Sequence, residues 1–379
     1  MGMPGDFWSW RRKLAKRSRA SVLWALGLLI GAQVVFFFPL SVWWPQLHDP
    51  QYGGRLARLR ARLAEKPKDQ PFVLVLGSSH TALGVRPGVL RTDSTSGYDS
   101  PFLFNFSMND GCPVVSLLCL HRLISEGIKP DWVLVETCPL QLWLDDWRAH
   151  VHKCLNIALI QGEDLPLLSR YYVNPHQFRK NWRKGQLCPW YFHRDFLLSS
   201  FAPRCLPPLR RLNGTWDHMD DWGCQWVEGA TQNYQENGIN LEHLRSAMTS
   251  MYRQWRICDV DKRAIQEIID TCRRENIRLA FLRMPEASFF LDWYPVSMQV
   301  QVDRYLAGLS KDYDIPIIDG RRWLPDLSFS DGHHLTPSGA TAFTQRLDRE
   351  FLQSIQKSEV RSQKSEAAPD DFRPLTSDF

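Results

Sequence analysis

Apolar residues along this chain fall into two alternating rhythms. Short unbroken runs occur at Phe72-Val-Leu-Val-Leu76, Phe102-Leu-Phe-Asn-Phe106, Trp132-Val-Leu-Val-Glu136, Arg278-Leu-Ala-Phe-Leu-Arg-Met284 and Ile315-Pro-Ile-Ile-Asp319. Runs of this length without polar alternation predict strands buried on both faces. Between them the spacing lengthens to that of helices. Leu117, Leu118, Leu120 and Ile124 mark one helix within Val114 to Ile128, and Ile265, Ile268, Ile269 and Cys272 mark another. A third lies near Met298 to Leu309, and a last helix begins around Thr336 and runs towards Ile355. Strands alternating with helices predict an α/β fold, a parallel sheet with helices covering both faces.

The rhythm breaks at both ends and in the middle. From Ser21 to Trp44 the chain carries no charge, and its roughly 24 residues would span about 36 Å as a helix, enough to cross a bilayer with some tilt. Trp24, Trp43 and Trp44 sit near the ends of this run, where interfacial aromatics belong. Bulky Phe36-Phe-Phe-Pro stands where a cleaved leader needs small residues, so a retained anchor is expected. Arg11, Arg12, Lys13, Lys16, Arg17 and Arg19 precede it and favour a cytoplasmic N-terminus with the catalytic domain outside. Arg55, Arg58, Arg60, Arg62, Lys66 and Lys68 follow it and predict a basic helix, whose Leu56, Leu59 and Leu63 could lie on lipid headgroups. Between Leu140 and about Trp255, tryptophans such as Trp143, Trp182, Trp222 and Trp226 are scattered among Pro, Gly, Asn and Asp. So long a stretch predicts an insertion with short helices, its aromatics either core or a surface for stacking sugar rings. The expected organisation is therefore a basic segment 1–20, a transmembrane helix 21–44, a basic linker helix 45–70, an α/β domain 71–355 with an insertion at 140–257, and a disordered tail 356–379.

The net charge of +5 over 379 residues is too mild to argue for nucleic acid. Nine cysteines include no C-x-x-C pair, so neither a metal site nor a redox site is expected, and no cofactor is implied. Cys112, Cys119, Cys138 and Cys272 sit in apolar or helical patterns and read as buried thiols. Cys154, Cys188, Cys205, Cys224 and Cys258 lie in or beside the irregular segment, where disulfides could form.

Chemistry concentrates just after the strands. Ser78 and Ser79 follow the first, Asn105 to Gly111 the second, Glu136-Thr-Cys-Pro139 the third and Pro285-Glu286 the fourth. Asp331 and His334 lie after the last. In an open parallel sheet these positions converge at one edge. A serine, an imidazole and a carboxylate supply the nucleophile, base and orienting group of acyl transfer. Each also has a plainer role: Ser79 could cap the following helix, Asp331-Gly332 is a common turn, and Ser330 or Thr336 could cap the last helix. Glu136 is either a buried structural acid or a substrate contact.

Gly77-Ser78-Ser79 and Asp331-x-x-His334, continued by Leu335-Thr-Pro337-Ser-Gly339-Ala340, resemble the first and fifth motif blocks of the SGNH/GDSL hydrolase superfamily. The resemblance implies a three-layer α/β/α, flavodoxin-like fold from about Pro71 to Ile355. It implies Ser79 as nucleophile, His334 as general base and Asp331 as its orienting carboxylate. The oxyanion hole would be made by Ser79 and Gly111, with Ser107 the alternative to Gly111. Ser78 stands where the family usually has Asp, and the GSS-type turn is more like membrane-linked branches of cell-envelope acylation, such as teichoic acid D-alanylation and alginate acetylation proteins. Glu136-Thr-Cys-Pro139 lacks the asparagine of the third block, so Asn109 is the substitute donor; a missing donor costs on the order of 3 kcal/mol at the transition state. Ser78, His80 and Glu136 are candidate substrate contacts.

The expected function is a membrane-anchored serine esterase or O-acyltransferase. Its substrate would be an acyl ester of an envelope glycan or a lipid-linked compound. Its partners would be membrane lipid, through the single span, and a membrane acyltransferase. The alternative is a non-catalytic envelope assembly or binding factor that keeps the fold.

Overall fold

The computed structural model describes residues 18–32, 35, 48–91, 100–142, 155–187, 189–226, 231–252 and 255–356. Five strands form one parallel sheet: β1 (Phe72–Leu76), β2 (Phe102–Asn105), β3 (Trp132–Glu136), β4 (Arg278–Arg283) and β5 (Ile317–Asp319), in the order β2-β1-β3-β4-β5. All neighbouring pairs are parallel, with Leu74 opposite both Phe104 and Val133, Leu134 opposite Ala280, and Phe281 opposite Ile317. Val73, Leu74, Val75, Phe104, Val133, Leu134, Ala280 and Phe281 are fully buried, which is what unbroken apolar runs require. The α/β fold with a parallel sheet is therefore the one the sequence pattern predicts.

After residue 48, and apart from the single turn Leu165–Leu168, the described α-helices are α1 (Pro50–Glu65), α2 (Ser79–Gly84), α3 (Pro113–Ser125), α4 (Pro175–Leu187), α5 (Pro189–Phe201), α6 (Leu241–Tyr252), α7 (Asp259–Arg274), α8 (Ser288–Trp293), α9 (Val296–Tyr313) and α10 (Pro337–Leu347). The chain steps left from β1 to β2 and then right to β3, so right-handed crossovers put α2 on one face and α3 and α7 on the other. Contacts agree, since α3 packs with α7 and α10 packs with α2. The reversal of direction beside β1 is a switch point, and it opens a crevice at the carboxyl ends of β1 and β3.

Two compact units divide the chain: residues 1–53 with 157–213, and residues 54–156 with 214–379. The expected insertion at 140–257 is thus split. Residues 157–213 fold with the N-terminal segment, while residues 140–156 and, as a second part, 214–257 belong to the sheet unit. Three hydrogen bonds hold this second part: Asn105 N–H to Trp222 O (3.0 Å), Gln225 N–H to Ala82 O (2.8 Å) and Trp255 Nε1–H to Pro139 O (3.1 Å). In the other unit, α4 and α5 pack together, and Trp182 donates to Ile160 O at 2.8 Å. Trp143, Trp147, Cys154 and Cys188 lie outside the described residues.

The basic linker helix is present as α1, but its apolar face does not meet lipid. Leu56 and Leu59 are buried in the protein. The arginines are engaged there too: Arg58 donates to Met219 O (3.3 Å), Arg60 pairs with Glu126 (2.8 Å), and Arg62 pairs with Asp221 and lies over the Trp222 ring. Spacing of leucines on a helix reveals an apolar face, and only the fold decides what covers it.

Residues 18–32 form a helix that exposes Val22, Leu23, Trp24, Leu28, Leu29 and Ile30. The rest of the expected span, to Trp44, falls almost wholly outside the described residues, as do residues 1–17 and the tail after 356. Among the described residues no helix is long and apolar enough to cross a membrane. Cys205, Cys224 and Cys258 are free thiols, as are the buried Cys112, Cys119, Cys138 and Cys272.

Candidate active site

The first strand ends at Leu76, and the register sets Leu76 opposite Val135. That pairing places Glu136, the last residue of β3, beside the turn that begins at Gly77. A Cβ on Gly77 would fall on the Thr81 hydroxyl and the Glu136 carboxylate, so only glycine lets the turn close here. The turn then wraps the carboxylate. Glu136 accepts from Ser78 N–H (2.7 Å), from the Ser78 hydroxyl (3.0 Å) and from the Thr81 hydroxyl (2.7 Å), with His80 Nδ1 3.4 Å away. Ser78 also caps α2, its hydroxyl accepting from His80 N–H at 3.2 Å. The helix cap is therefore Ser78, which leaves Ser79 as the first helical residue with its side chain uncommitted to capping.

Ser79 Oγ lies 2.9 Å from His334 Nε2, and His334 Nδ1 lies 2.7 Å from Asp331 Oδ2. The other carboxylate oxygen of Asp331 accepts the backbone N–H of His333 (3.1 Å) and of His334 (2.8 Å). Ser330 closes the loop by donating twice to His334 O, from its N–H at 2.8 Å and its hydroxyl at 3.1 Å. Gly332, at φ 104°, takes the left-handed bend next to Phe289 and Phe290. Thr336 then caps α10 by accepting from Gly339 N–H at 3.1 Å. The carboxylate on Nδ1 puts the proton on that nitrogen and leaves Nε2 free to accept the Ser79 hydroxyl. Burial by itself raises the Asp331 carboxyl, but the His334 hydrogen bond and the adjacent imidazoles more than reverse this, holding it well below the usual carboxylate range.

Two expected oxyanion donors, Gly111 and its alternative Ser107, are placed differently, while nothing displaces the third, Asn109. Gly111 does not offer its N–H outward, because it donates to Met108 O at 2.9 Å. Its side of the loop packs so closely that a Cβ would fall on the Gly77 carbonyl. The glycine is thus needed for close packing between two strand-end loops. Ser107 is buried, with its N–H on Asn105 Oδ1 at 3.1 Å. Asn109 is half-buried in the same loop. The Ser79 N–H stands in the first turn of α2, where no intrahelical carbonyl faces it.

His80 and Glu136 are only 3% and 2% exposed, so both side chains are enclosed by the protein. Both ring nitrogens of His80 face acceptors, Pro285 O at 2.9 Å and Glu136 Oε1 at 3.4 Å. A neutral imidazole has a single N–H, so this environment favours the imidazolium. Burial lowers the His80 pKa, but the Glu136 hydrogen bond and charge outweigh it and the net shift is upward. Burial likewise raises Glu136, and the His80 contact brings it below its ordinary value. The two side chains form a buried His–Glu pair behind the Ser78-Ser79 turn.

Three further neighbours surround the relay: Glu286, already expected at this edge after the fourth strand, and His333 and Thr81, for which no role was expected. His333 lies against His334 with ring centroids 4.0 Å apart and the rings tilted by 40°, and burial together with His334 lowers its pKa to about 3, so it is neutral at pH 7. Glu286 is buried and raised by that burial, its carboxyl accepting from the Tyr294 hydroxyl at 2.5 Å. Thr81 completes the cradle of Glu136. Its signal was available, for it follows the small-residue turn at the spacing of one helical turn from Gly77.

A family model described as "Protein of unknown function (DUF1574)" matches residues 55–174, and a second family model matches residues 234–356. No curated protein matches the sequence. Among solved structures the chain is similar to a provisionally assigned acylhydrolase of Bacteroides fragilis. That match has 10% identity and a TM-score of 0.33, over 82% of this chain and 97% of the other. It is also similar to the lipase/acylhydrolase of Enterococcus faecalis, at 12% identity and a TM-score of 0.32, over 76% of this chain and 96% of the other. Likenesses so distant add nothing to the chemistry, which stands on the distances above.

Proposed function

We propose that the chain is a serine esterase or O-acyltransferase in which Ser79 is the nucleophile, His334 the general base and Asp331 the group that orients the base. The observation that carries this is the unbroken relay from Ser79 Oγ through His334 to Asp331, at 2.9 and 2.7 Å. Ser79 Oγ attacks the ester carbonyl while its proton passes to His334 Nε2. The tetrahedral oxyanion is met by the Ser79 N–H, with the half-buried Asn109 as second donor. His334 then returns the proton to the departing alcohol, leaving an acyl group on Ser79. Water or a sugar hydroxyl attacks that ester in turn, His334 takes its proton, and Ser79 is regenerated. Hydrolysis and transfer use the same residues and differ in what reaches the acyl-enzyme.

An anchor through residues 21–44, with the sheet unit outside the cytoplasm, belongs to the same proposal. Its support is the uncharged run and the apolar side chains exposed along residues 18–32. An envelope glycan or lipid-linked ester is then the substrate, and a membrane acyltransferase the partner. A reporter active only outside the cytoplasm, fused after Phe379, should be active; a well-expressed but silent fusion overturns the orientation.

The second reading, an assembly factor without activity, is favoured by one observation: the Gly111 N–H is spent on Met108. A fluorophosphonate probe separates the two. Labelling that Ser79→Ala abolishes and Ser78→Ala leaves detectable supports the enzyme. Loss of labelling in Ser78→Ala alone moves the nucleophile, and no labelling of the wild type favours the assembly factor.

A further inference from the structure

A groove of about 220 Å³ opens between α2 and α10 and is lined by Leu83, Arg86, Asp220, Cys224, Gln225, Trp226, Leu335, Pro337 and Ala340. Both helices lead directly to the relay. Leu83 is four residues beyond Ser79 on the same helix face, about 6 Å along the axis. Leu335 is the residue after His334, and Pro337 and Ala340 form the first turn of α10. Arg86 N–H to Thr344 Oγ1, at 2.8 Å, ties the two helices together at the far end.

The lining discriminates between ligands. Leu83, Cys224, Leu335, Pro337 and Ala340 present carbon and sulfur. Trp226, 47% exposed, stands at the rim. Two of the three polar side chains are engaged by the protein itself. Asp220 Oδ1 accepts from the N–H groups of Trp222 and Cys224, both at 2.9 Å, shaping the hairpin that forms the outer wall. Gln225 accepts from Arg55 and donates to Gly214 O, each at 3.4 Å. A sugar would need those groups, because its hydroxyls must be matched pair by pair. An alkyl chain needs none of them.

Resting on the acyl-transfer reading above, we infer that this groove holds the acyl chain of the ester, an alkanoyl group of roughly six to eight carbons. The size follows from comparison with a cavity of about 150 Å³, which takes one benzene ring. The acid side of the ester therefore lies along α2 and α10, and the alcohol leaves on the opposite side of Ser79.

Purified protein would be assayed with p-nitrophenyl alkanoates from acetyl to dodecanoyl, beside a series of alkyl acetates. Burial of each added methylene raises kcat/KM about fourfold until the groove is full. The alkanoate profile should climb from acetyl to hexanoyl or octanoyl and then fall. Leu83→Trp, which fills the groove, should lower the octanoyl-to-acetyl ratio at least tenfold. Trp226→Ala, at an exposed position that carries little folding risk, should lower it about threefold. An alkanoate profile that peaks at acetyl, or a ratio unmoved in both variants, overturns the assignment. So does a chain-length gain confined to the alkyl acetates. If the fluorophosphonate still labels Ser79 in those cases, only the groove assignment fails; if the wild type is never labelled, the acyl-transfer reading fails with it.

Discussion

Removing the Glu136 carboxylate tests whether it holds the Gly77-Ser78-Ser79 turn. The side chain is fully buried, and four groups from Ser78, His80 and Thr81 converge on it. In Glu136→Ala the two hydroxyls can rotate to new partners, but the Ser78 N–H and the His80 imidazolium cannot. Breaking a buried ion pair from one side costs about 3–5 kcal/mol. The stranded backbone N–H accounts for about 1–3 kcal/mol of such a loss. Because His80 can shed its proton, about 3–5 kcal/mol in total is expected. Glu136→Gln keeps one acceptor for Ser78 N–H, so its loss should be about 1–3 kcal/mol. Urea unfolding at pH 6 would measure both, with the rate of fluorophosphonate labelling as the readout of the turn. Glu136→Ala within about 1 kcal/mol of wild type would refute the reasoning. A raised KM with unchanged stability would restore Glu136 as a substrate contact.

The same pair fixes a dependence on pH. His80 is raised in the fold, so its contribution is whole below its ordinary value of 6.5 and is lost as pH rises through the folded value. Glu136 is lowered, so its contribution is whole above its ordinary value of 4.5 and is lost as pH falls through the folded value. The stability difference between wild type and the His80→Gln, Glu136→Gln double variant should therefore be greatest between about pH 4.5 and 6.5. A difference that is flat from pH 4 to 9 would show that the pair is uncharged.

Asp331→Asn offers an amide N–H to His334 Nδ1 and so moves the imidazole proton to Nε2, facing Ser79. Turnover should fall about 10³–10⁴-fold with the fold intact, as read by kcat and circular dichroism; a loss below tenfold would remove Asp331 from the relay. Gly111→Ala places a methyl on the Gly77 carbonyl and should cost about 1–3 kcal/mol in urea unfolding, whereas a neutral result would mean that the two loops can part. Trp255→Phe loses the hydrogen bond to Pro139 O and leaves that carbonyl unmatched, worth about 1 kcal/mol by the same measurement.

Local spacing carried much of this protein. The five strands are continuous apolar runs, and each falls within two residues of where the pattern places it. Asp331 and His334 are three residues apart, so their hydrogen bond is closed within one loop and can be read along the chain. Ser79 was legible as a residue type in a small-residue turn after a strand. The motif resemblance chose it over Ser78; the pattern alone could not, because which serine caps α2 depends on where the helix begins.

What the sequence could not supply lies in long-range pairing. Ser79 and His334 are 255 residues apart, and they meet because the strand order puts β1 and the segment after β5 under helices on the same face. Glu136 was ambiguous until the register set Leu76 opposite Val135, which turned a strand-end acid into the anchor of the Gly77-Ser78-Ser79 turn. Gly111 looked like a free donor because an N–H carries no mark in sequence of the carbonyl it will find. The leucines of α1 looked equally fit for lipid or for protein. Periodicity fixes which side chains share a face, since that geometry is local to the helix or strand. Which surface meets that face is settled by packing between distant segments, and only the tertiary structure decides it.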